Sequence, residues 1–312
     1  MEHYVTLFDS LFLPQGLALH ASMQRHASDY TLWVLCMDDT AHAVLERLHL
    51  PNVRTIALAE VETDALLAVK PSRSRGEYCW TMTPFTPKIV FDREPAAARV
   101  TYVDADIWLC RSPRELFSEF EASGKSVLIT DHAYAPEYDQ SATSGRFCVQ
   151  FMTFVRDAGE PVRAWWAERC LEWCFARMEQ GRFGDQKYLD DWPTRFEAHV
   201  HVLQCQALMQ APWNNTRFPP GEAALYHFHG LRLMRGRQLL LSDHYRIRPA
   251  TYRTVYRPYM RDFGSALGTL ASAGHPASPQ IDRPAWLVRL RVLARQLRVR
   301  WIERAPSRFG WV

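Results

Sequence analysis

The chain of 312 residues is long enough for one large domain, or for a domain with an appendage, and its 47% hydrophobic and 23% charged content is that of a globular protein. A net charge of +3 is too small to indicate a nucleic-acid-binding protein. No apolar run approaches the roughly 20 residues that a transmembrane helix needs, and the chain begins with a strand-like segment instead of a secretory signal. We therefore expect a cytoplasmic protein that does not span a membrane.

The first 130 residues alternate apolar runs with helix-like segments. The apolar runs predict strands at Tyr4–Asp9, Tyr30–Asp38, Asn52–Leu58, Arg99–Asp104 and Ser126–Thr130. The predicted helices are Pro14–His26, Ala41–His49 with Asp39 or Thr40 as its N-cap, and Pro113–Phe120. Strands that are apolar throughout and alternate with helices predict an α/β protein with a doubly wound, parallel or mixed sheet.

The later part of the chain is less regular. We predict a strand at Cys148–Val155, a long helix at about Pro161–Met178 and a short strand at His199–Leu203, separated by loops rich in proline and tryptophan. The seven cysteines contain no Cys-x-x-Cys pair and lie mostly in apolar runs, which favours buried reduced thiols over disulfides or zinc ligands.

Two aspartates one residue apart, Asp104 and Asp106, follow the fourth predicted strand in the sequence TYVDADIW. In a doubly wound sheet, ligands bind beyond the carboxyl ends of the strands, and Asp9 and Asp38 also lie at such ends. Two neighbouring carboxylates repel each other unless a cation or a shared proton intervenes. The pair therefore indicates either a site for a divalent cation that bridges a diphosphate, or a polar cap of the strand.

Further candidates for a site lie in LYHFHGLR and in GRFGDQKYLDDWP. His227 or His229 would complete a mixed oxygen and nitrogen ligand set that suits Mn²⁺ better than Mg²⁺. Gly230 would let the backbone approach a phosphate, and Arg232 would add positive charge there. In the second segment, Asp185 is either the N-cap of a short helix or an acceptor for substrate hydroxyls, with Gln186 next to the reacting carbon.

The segments YVDADIW, FGDQKYLDDW and HFHG, in this order and spacing, resemble the nucleotide-sugar glycosyltransferases of the GT-A fold, in particular family 8 and its bacterial lipopolysaccharide and capsule relatives. The resemblance spans residues 4–232 and implies a Rossmann-like mixed sheet flanked by helices. It also implies that Asp104, Asp106 and His227 bind Mn²⁺ or Mg²⁺, which bridges the diphosphate of a UDP-sugar. His227 ranks above His229 because it lies three residues before Gly230, as the His-x-x-Gly motif of the family requires.

The resemblance also implies the residues that contact the donor. They are Thr6, Phe8 and Asp9 at the base, Arg73 or Arg75 (with Lys88 as a weaker choice) at the diphosphate or sugar, Asp104, Gln150, Gly230 and Arg232 around the donor, and Asp185 and Gln186 against the donor sugar. The implied reaction is transfer of a sugar to an acceptor hydroxyl of a glycan or a lipid-linked molecule. Retention of the anomeric configuration is implied; inversion would need a carboxylate base, for which Asp185, Asp190 and Asp191 are candidates.

The C-terminal segment Arg283–Val312 places arginines among Trp, Leu and Val residues at helical spacing. It predicts a basic helix that either packs on the catalytic domain or lies on anionic lipid, as the basic tails of lipopolysaccharide glycosyltransferases do. We accordingly expect a catalytic domain at residues 1–250 and a C-terminal helical basic extension at 251–312, with peripheral attachment of the cytoplasmic enzyme to the inner membrane.

Three other readings of the sequence compete with this one. A haloacid-dehalogenase-like phosphohydrolase also places Asp-x-Asp after a strand, but usually near the N-terminus and followed by Thr or Val, whereas Ile107 and Trp108 follow here. A sugar nucleotidyltransferase needs a glycine-rich basic loop after the first strand, and FDSLFLPQG is not one. A catalytically inactive nucleotide-sugar-binding protein would be expected to lack the metal-binding residues.

Overall fold

A seven-stranded mixed sheet forms the centre of the protein in the computed structural model, which describes residues 1–242 and 244–281. Its strands are β1 (Glu2–Phe8), β2 (Tyr30–Cys36), β3 (Val53–Ala57), β4 (Arg99–Val103), β6 (Val127–Asp131), β7 (Phe147–Val155) and β8 (Val200–Val202). The order across the sheet is β3-β2-β1-β4-β7-β6-β8, with β7 antiparallel to both of its neighbours and the other pairs parallel. The predicted α/β fold is confirmed.

Helices lie on both faces of this sheet and around it. The helices of the described residues are α1 (Leu13–His26), α2 (Asp39–Leu48), α3 (Asp64–Val69), α4 (Arg75–Met82), α5 (Thr86–Arg93), α6 (Arg114–Ser123), α7 (Ser141–Ser144), α8 (Glu160–Glu172), α9 (Trp192–Arg195), α10 (Pro249–Thr251) and α11 (Arg257–Ser272). The sequence analysis did not predict α3, α4, α5, α7 or α10, whereas α11 lies in the C-terminal helical extension that it predicted at residues 251–312.

Strand β1 shows why the apolar runs are nearly continuous. Tyr4 and Phe8 pack into one hydrophobic cluster, whereas Val5 and Leu7 pack into the cluster on the other side of the sheet. Successive side chains of a strand point to opposite faces, so a strand covered by helices on both faces is mostly apolar along its whole length.

A second, small sheet brings distant residues to the edge of the first. It contains β5 (Ile107–Leu109), β9 (Met209–Gln210) and β10 (Leu225–His227), and the antiparallel pairing of β5 with β10 sets His227 opposite Ile107. A two-stranded hairpin of β11 (Arg232–Met234) and β12 (Gln238–Leu240) follows. The sequence analysis did not predict these strands, which are two or three residues long.

The N-cap of α2 differs from the prediction. Asp38, not Asp39 or Thr40, occupies the capping position, and its carboxylate accepts a hydrogen bond of 2.7 Å from the backbone N–H of Ala41. The same carboxylate accepts hydrogen bonds from the backbone N–H and the hydroxyl of Ser10. Asp38 therefore ties the start of α2 to the loop that follows β1.

Replacing Asp38 by alanine is expected to lower the free energy of unfolding by about 1–2 kcal/mol, because the cap and the Ser10 contacts are lost together. The control Asp39→Ala removes an exposed first-turn residue and should change stability by less than about 0.5 kcal/mol.

The effect of Asp38 on stability should also depend on pH. Burial opposes ionisation of Asp38, but its hydrogen bonds outweigh that effect and hold its pKa below the ordinary value. The difference between wild type and Asp38→Ala should therefore be full at neutral pH and shrink as the pH falls below about 4. Urea denaturation at pH 7 and pH 3 measures it, and equal losses in the two variants would contradict the assignment of the cap.

Helix α8 is shorter than the predicted helix at Pro161–Met178. It ends at Glu172 because Trp173 adopts an extended conformation. Beyond it, the guanidinium of Arg73 lies 3.8 Å from the ring centroid of Phe175, and that of Arg177 lies 4.3 Å from the same centroid. Stacking of these cations on the aromatic ring outside the helix offsets the loss of further helical turns.

Helix α11 packs against α1. The carboxylate of Asp262 pairs with Arg25 on α1 and accepts a 2.7 Å hydrogen bond from the indole N–H of Trp108. Tyr259 and Phe263 are buried in the cluster beneath the helix. The predicted basic helix at Arg283–Val312 lies outside the described residues, and within the described part no helix is both long and apolar enough to cross a membrane.

Candidate active site

A cavity of about 690 Å³ opens at the carboxyl ends of β1 and β4. Most of the residues that the sequence analysis singled out line it: Phe8, Asp9, Arg75, Asp104, Asp106, Asp185, Gln186, His227 and Arg232. These side chains come from segments that are far apart in the sequence. The sheet topology therefore gathers the predicted site at the edge where a doubly wound fold binds its ligands.

The remaining predicted site residues do not line the cavity. Thr6 is fully buried within β1, and Arg73 lies under the segment after α8, where it donates a hydrogen bond to the carbonyl of Leu171. Gly230 forms the turn after β10 with a φ of 77°, a conformation that glycine adopts at little cost. Lys88, the weaker choice, pairs with Asp92 on its own helix.

Asp104, Asp106 and His227 form a compact cluster in the cavity. One potential ligand atom from each lies within 4.8 Å of the others. The imidazole Nε2 of His227 is 3.0 Å from a carboxylate oxygen of Asp106 and 3.8 Å from one of Asp104. The loop between β4 and β5 supplies both carboxylates, and the pairing of β10 with β5 brings the imidazole to them.

The cluster is held in place by neighbouring residues. The side-chain carbonyl of Gln150 lies 2.8 Å from Nδ1 of His227. The Nδ1–H group therefore donates a hydrogen bond to this carbonyl, and Nε2 faces the carboxylates. The hydroxyl of Tyr102 donates a 2.8 Å hydrogen bond to Asp104. Gln150 was predicted to contact the donor, and its observed contact is with the imidazole of His227. Such fixed partners are typical of the residues that surround a metal ligand.

The charges in the cluster are strongly coupled. Burial, followed by the charge of Asp106, raises the pKa of Asp104, although His227 opposes the shift. Burial also disfavours ionisation of Asp106, but the imidazole of His227 outweighs it and holds that pKa below its ordinary value. Two partly buried carboxylates and a buried imidazole that converge in this way fit a hard divalent cation such as Mn²⁺ or Mg²⁺.

Asp185 and Gln186 also line the cavity, after Gly184 with a φ of 53°. Asp185 is buried and is not the N-cap of the short turn Lys187–Asp191, so that alternative is wrong; Gln186 occupies the capping position without a side-chain cap bond. Burial, and then the charge of Asp104, raise the pKa of Asp185 well above its ordinary value. The amide nitrogen of Gln186 donates a 2.6 Å hydrogen bond to the carbonyl of Ser144.

The end of β1 forms another wall of the cavity. Asp9 accepts a 3.0 Å hydrogen bond from the backbone N–H of Leu11 and pairs with Arg75 at 3.1 Å. The ring of Phe8 packs directly on Gly16 in α1, where an added Cβ would lie 2.5 Å from the ring. Gly16 is therefore required by close packing, with no positive φ involved.

Gly16→Ala is expected to destabilise the protein by about 1–3 kcal/mol, because the methyl group must displace the buried ring of Phe8. Gly76→Ala is the matched control: it lies on α4 at the same cavity, where a Cβ would meet nothing within 4 Å, and the better helix propensity of alanine should leave stability equal or higher. Thermal unfolding of both variants measures the difference. Equal melting temperatures for the two would mean that Phe8 moves aside at no cost.

An aromatic wall completes the cavity, and the sequence analysis did not foresee it. It consists of His132, Tyr134, Trp213 and Tyr245, which all line the cavity. The rings of His132 and Tyr134 stack with centroids 4.6 Å apart, and Trp213 donates a 2.8 Å hydrogen bond to the carbonyl of His132. The loops that carry these residues are far apart in sequence, so no local spacing indicated that they meet.

No family model matches the chain. Two proteins of Bacillus subtilis (strain 168) are similar to it. The uncharacterized protein YfnD is 29% identical over 292 residues, which cover 87% of this chain and 91% of YfnD. The uncharacterized protein YfnF is 34% identical over 250 residues, which cover 74% of this chain and 82% of YfnF. The chain belongs to the YfnF family. Because the names of these two relatives state no reaction, membership in the YfnF family does not by itself define the chemistry.

Among solved structures, the bifunctional glycosyltransferase WbbM is similar to this YfnF-family protein, with a TM-score of 0.52 and 14% sequence identity. The similarity covers 89% of this chain and 52% of the WbbM chain. At this identity it establishes the fold alone, which is the GT-A fold that the resemblance implied.

Proposed function

We propose that this protein is a metal-dependent glycosyltransferase of the hexosyltransferase type, which moves a sugar from a nucleoside-diphosphate sugar to a glycan or lipid-linked acceptor in the synthesis of surface polysaccharide or lipopolysaccharide. The observation that carries the proposal is the cluster of Asp104, Asp106 and His227 at the ligand-binding edge of a GT-A fold. We expect a UDP-sugar as the donor and Mn²⁺ or Mg²⁺ as the cation.

The residues that line the cavity support separate roles for two groups beside this cluster. Phe8, Asp9 and Arg75 offer an aromatic ring, a hydrogen-bond acceptor and a positive charge, which suit a nucleoside diphosphate. The aromatic wall offers ring faces that suit the apolar face of an acceptor sugar. Its Trp213 adjoins the cluster, with a ring centroid 5.2 Å from that of His227.

Different residues of the cavity have different roles in the proposed reaction. A bound cation supplies positive charge that stabilises the leaving diphosphate. Arg75 and Arg232 line the same cavity and add to that positive potential. Asp185 accepts hydrogen bonds from hydroxyls of the donor sugar, and Gln186 directs its side-chain oxygen at the carbon that develops positive charge, since its nitrogen is bound to Ser144. With retention of configuration, the leaving phosphate takes the proton of the acceptor hydroxyl.

A thermal-shift and hydrolysis panel of UDP-, GDP-, CDP- and dTDP-sugars, with and without Mn²⁺, tests the proposal. We expect at least one nucleotide sugar to raise the melting temperature in the presence of Mn²⁺ and not in its absence. If no nucleotide sugar gives a Mn²⁺- or Mg²⁺-dependent response in either assay, the assignment fails.

A further inference from the structure

The side-chain amide of Gln186 is held by a single hydrogen bond. Its nitrogen donates to the backbone carbonyl of Ser144 over 2.6 Å, and among residues 1–242 and 244–281 the side chain has no other hydrogen-bond partner. This contact decides which end of the amide faces the cavity, because a half-turn of the amide would exchange its oxygen, an acceptor, for its nitrogen, a donor. The orientation of Gln186 therefore depends on where the carbonyl of Ser144 is held.

Ser144 is the last residue of α7, a helix of only four residues. A single helical turn gains too few backbone hydrogen bonds to offset the conformational entropy that it loses, so it persists only where other contacts hold it. At its start, Gln140 occupies the N-cap position and donates a 3.1 Å hydrogen bond to the hydroxyl of Tyr245 in the aromatic wall. The end of α7, where Ser144 lies, needs a support of its own.

Lys187 supplies the support at the end of α7. Its Nζ donates a 2.8 Å hydrogen bond to the carbonyl of Ser141 and lies 2.8 Å from a carboxylate oxygen of Asp190, and the side chain is only 15% exposed. The other carboxylate oxygen of Asp190 accepts a 2.8 Å hydrogen bond from the backbone N–H of Arg146. Lysine side chains are usually exposed, so a largely buried one with two partners is a specific contact. Lys187 and Asp190 together bind the chain on either side of Ser144.

Close packing at Gly145 fixes the same segment against the turn that carries Gln186. A Cβ at Gly145 would lie 3.3 Å from Oδ1 of Asp190 and 3.6 Å from the backbone oxygen of Gln186. The φ of Gly145 is 104°, a conformation that glycine adopts at little cost. The segment after α7 therefore lies directly on this turn, and a shift of one would displace the other.

We propose that Lys187 is a positioning residue: it holds the end of α7 so that the carbonyl of Ser144 keeps the oxygen of the Gln186 amide directed at the reacting carbon. Lys187 does not line the cavity, so its ammonium acts through Gln186 and not on the substrate. Small displacements of a group beside a reacting carbon are costly, which makes such a support worth a fixed lysine. The role of Gln186 at the reacting carbon rests on the proposed function; the orientation of its amide does not.

A double-mutant cycle of K187M and Q186A tests the positioning. The rate measured is Mn²⁺-dependent hydrolysis of UDP-glucose, UDP-galactose and UDP-N-acetylglucosamine, each assayed separately. Methionine keeps the length of the side chain and removes the ammonium. We expect K187M to lower kcat about tenfold with little change in KM, and to lower the rate by less than about twofold when Q186A is already present.

Two further variants accompany the cycle. D190N weakens the pair with Lys187 but keeps an oxygen for the N–H of Arg146, and should give a smaller loss that also disappears in the Q186A background. D190N carries the test if thermal unfolding shows that K187M does not fold. K125M removes a lysine contact with the carbonyl of Glu197, outside the cavity, and should be fully active.

The side-chain amide of Gln186 also gives a measurement that does not depend on turnover. Its proton–nitrogen NMR signal, assigned as the signal that Q186A lacks, should shift or broaden in K187M and stay in place in K125M. Equal losses from K187M with and without Gln186, or an unchanged Gln186 signal in K187M, would overturn the positioning. A wild type that hydrolyses no nucleotide sugar, while the Gln186 signal still moves in K187M, would overturn the proposed function alone.

Discussion

Replacing Asp104 by asparagine is expected to abolish the Mn²⁺-induced rise in melting temperature and to lower Mn²⁺ affinity by at least about a hundredfold. The substitution removes one of the two carboxylates but keeps an oxygen that can accept the hydrogen bond from Tyr102. It also relieves the repulsion between Asp104 and Asp106. The metal-free variant should therefore be as stable as the wild type, or more stable, while Mn²⁺-dependent transfer is lost.

The response to Mn²⁺ separates a metal site from a structural cap of the strand. If Asp104 merely capped the end of β4, Asp104→Asn would leave the response to Mn²⁺ unchanged, because asparagine keeps an oxygen that can accept the capping hydrogen bond. Asp106 is less suitable for this test, since its loss would also break the 3.0 Å contact with His227. Asp92→Asn, at an exposed carboxylate that pairs with Lys88, is the control and should change neither property. Isothermal titration with Mn²⁺ and thermal unfolding with EDTA provide the two measurements.

The central sheet could be predicted because its strands carry their signal locally. Strands β1, β2, β4 and β7 are buried on both faces, so each is an almost unbroken apolar run that no surface segment would tolerate. The observed ends differ from the predicted ones by a few residues, mainly because Asp9 and Asp38 belong to turns and caps instead of strands.

The sequence analysis predicted a helical C-terminal extension but not the bounds of helix α11, for a physical reason. The helix contains Pro258, Gly264 and Gly268, which are poor helix formers, and the preceding turn is π-helical. Burial of Tyr259 and Phe263 against the rest of the protein compensates for those residues. That compensation comes from tertiary packing, which a local pattern does not record.

The candidate site, like the fold, was predicted only where the signal is local. Asp104, Asp106 and His227 were found because each belongs to a short motif, and the motifs occur in a recognisable order. The contact of Gln150 with His227 and the meeting of Tyr134 with Trp213 join segments more than 70 residues apart. Nothing in the spacing of those residues indicates which loops converge, so the aromatic wall emerged only from the fold.

The structure also narrows the alternatives for a base in an inverting reaction. Asp190 is bound to Lys187 and to the backbone N–H of Arg146, and exposed Asp191 pairs with Arg195. Of the three candidate carboxylates, only Asp185 lines the cavity. The open question is therefore whether Asp185 binds hydroxyls of the donor sugar or takes the proton of the acceptor hydroxyl.

We expect Asp185→Asn to keep at least about a tenth of the Mn²⁺-dependent activity and Asp185→Ala to lose about a hundredfold or more. An asparagine still accepts a hydrogen bond from a sugar hydroxyl, whereas it cannot take a proton as a base. The product should retain the anomeric configuration of the donor, as read from its anomeric proton by NMR. Asp191→Ala is the control and should be fully active. An inverted product, together with an Asp185→Asn variant as inactive as Asp185→Ala, would show instead that Asp185 is the general base and that Gln186 has no role at the reacting carbon.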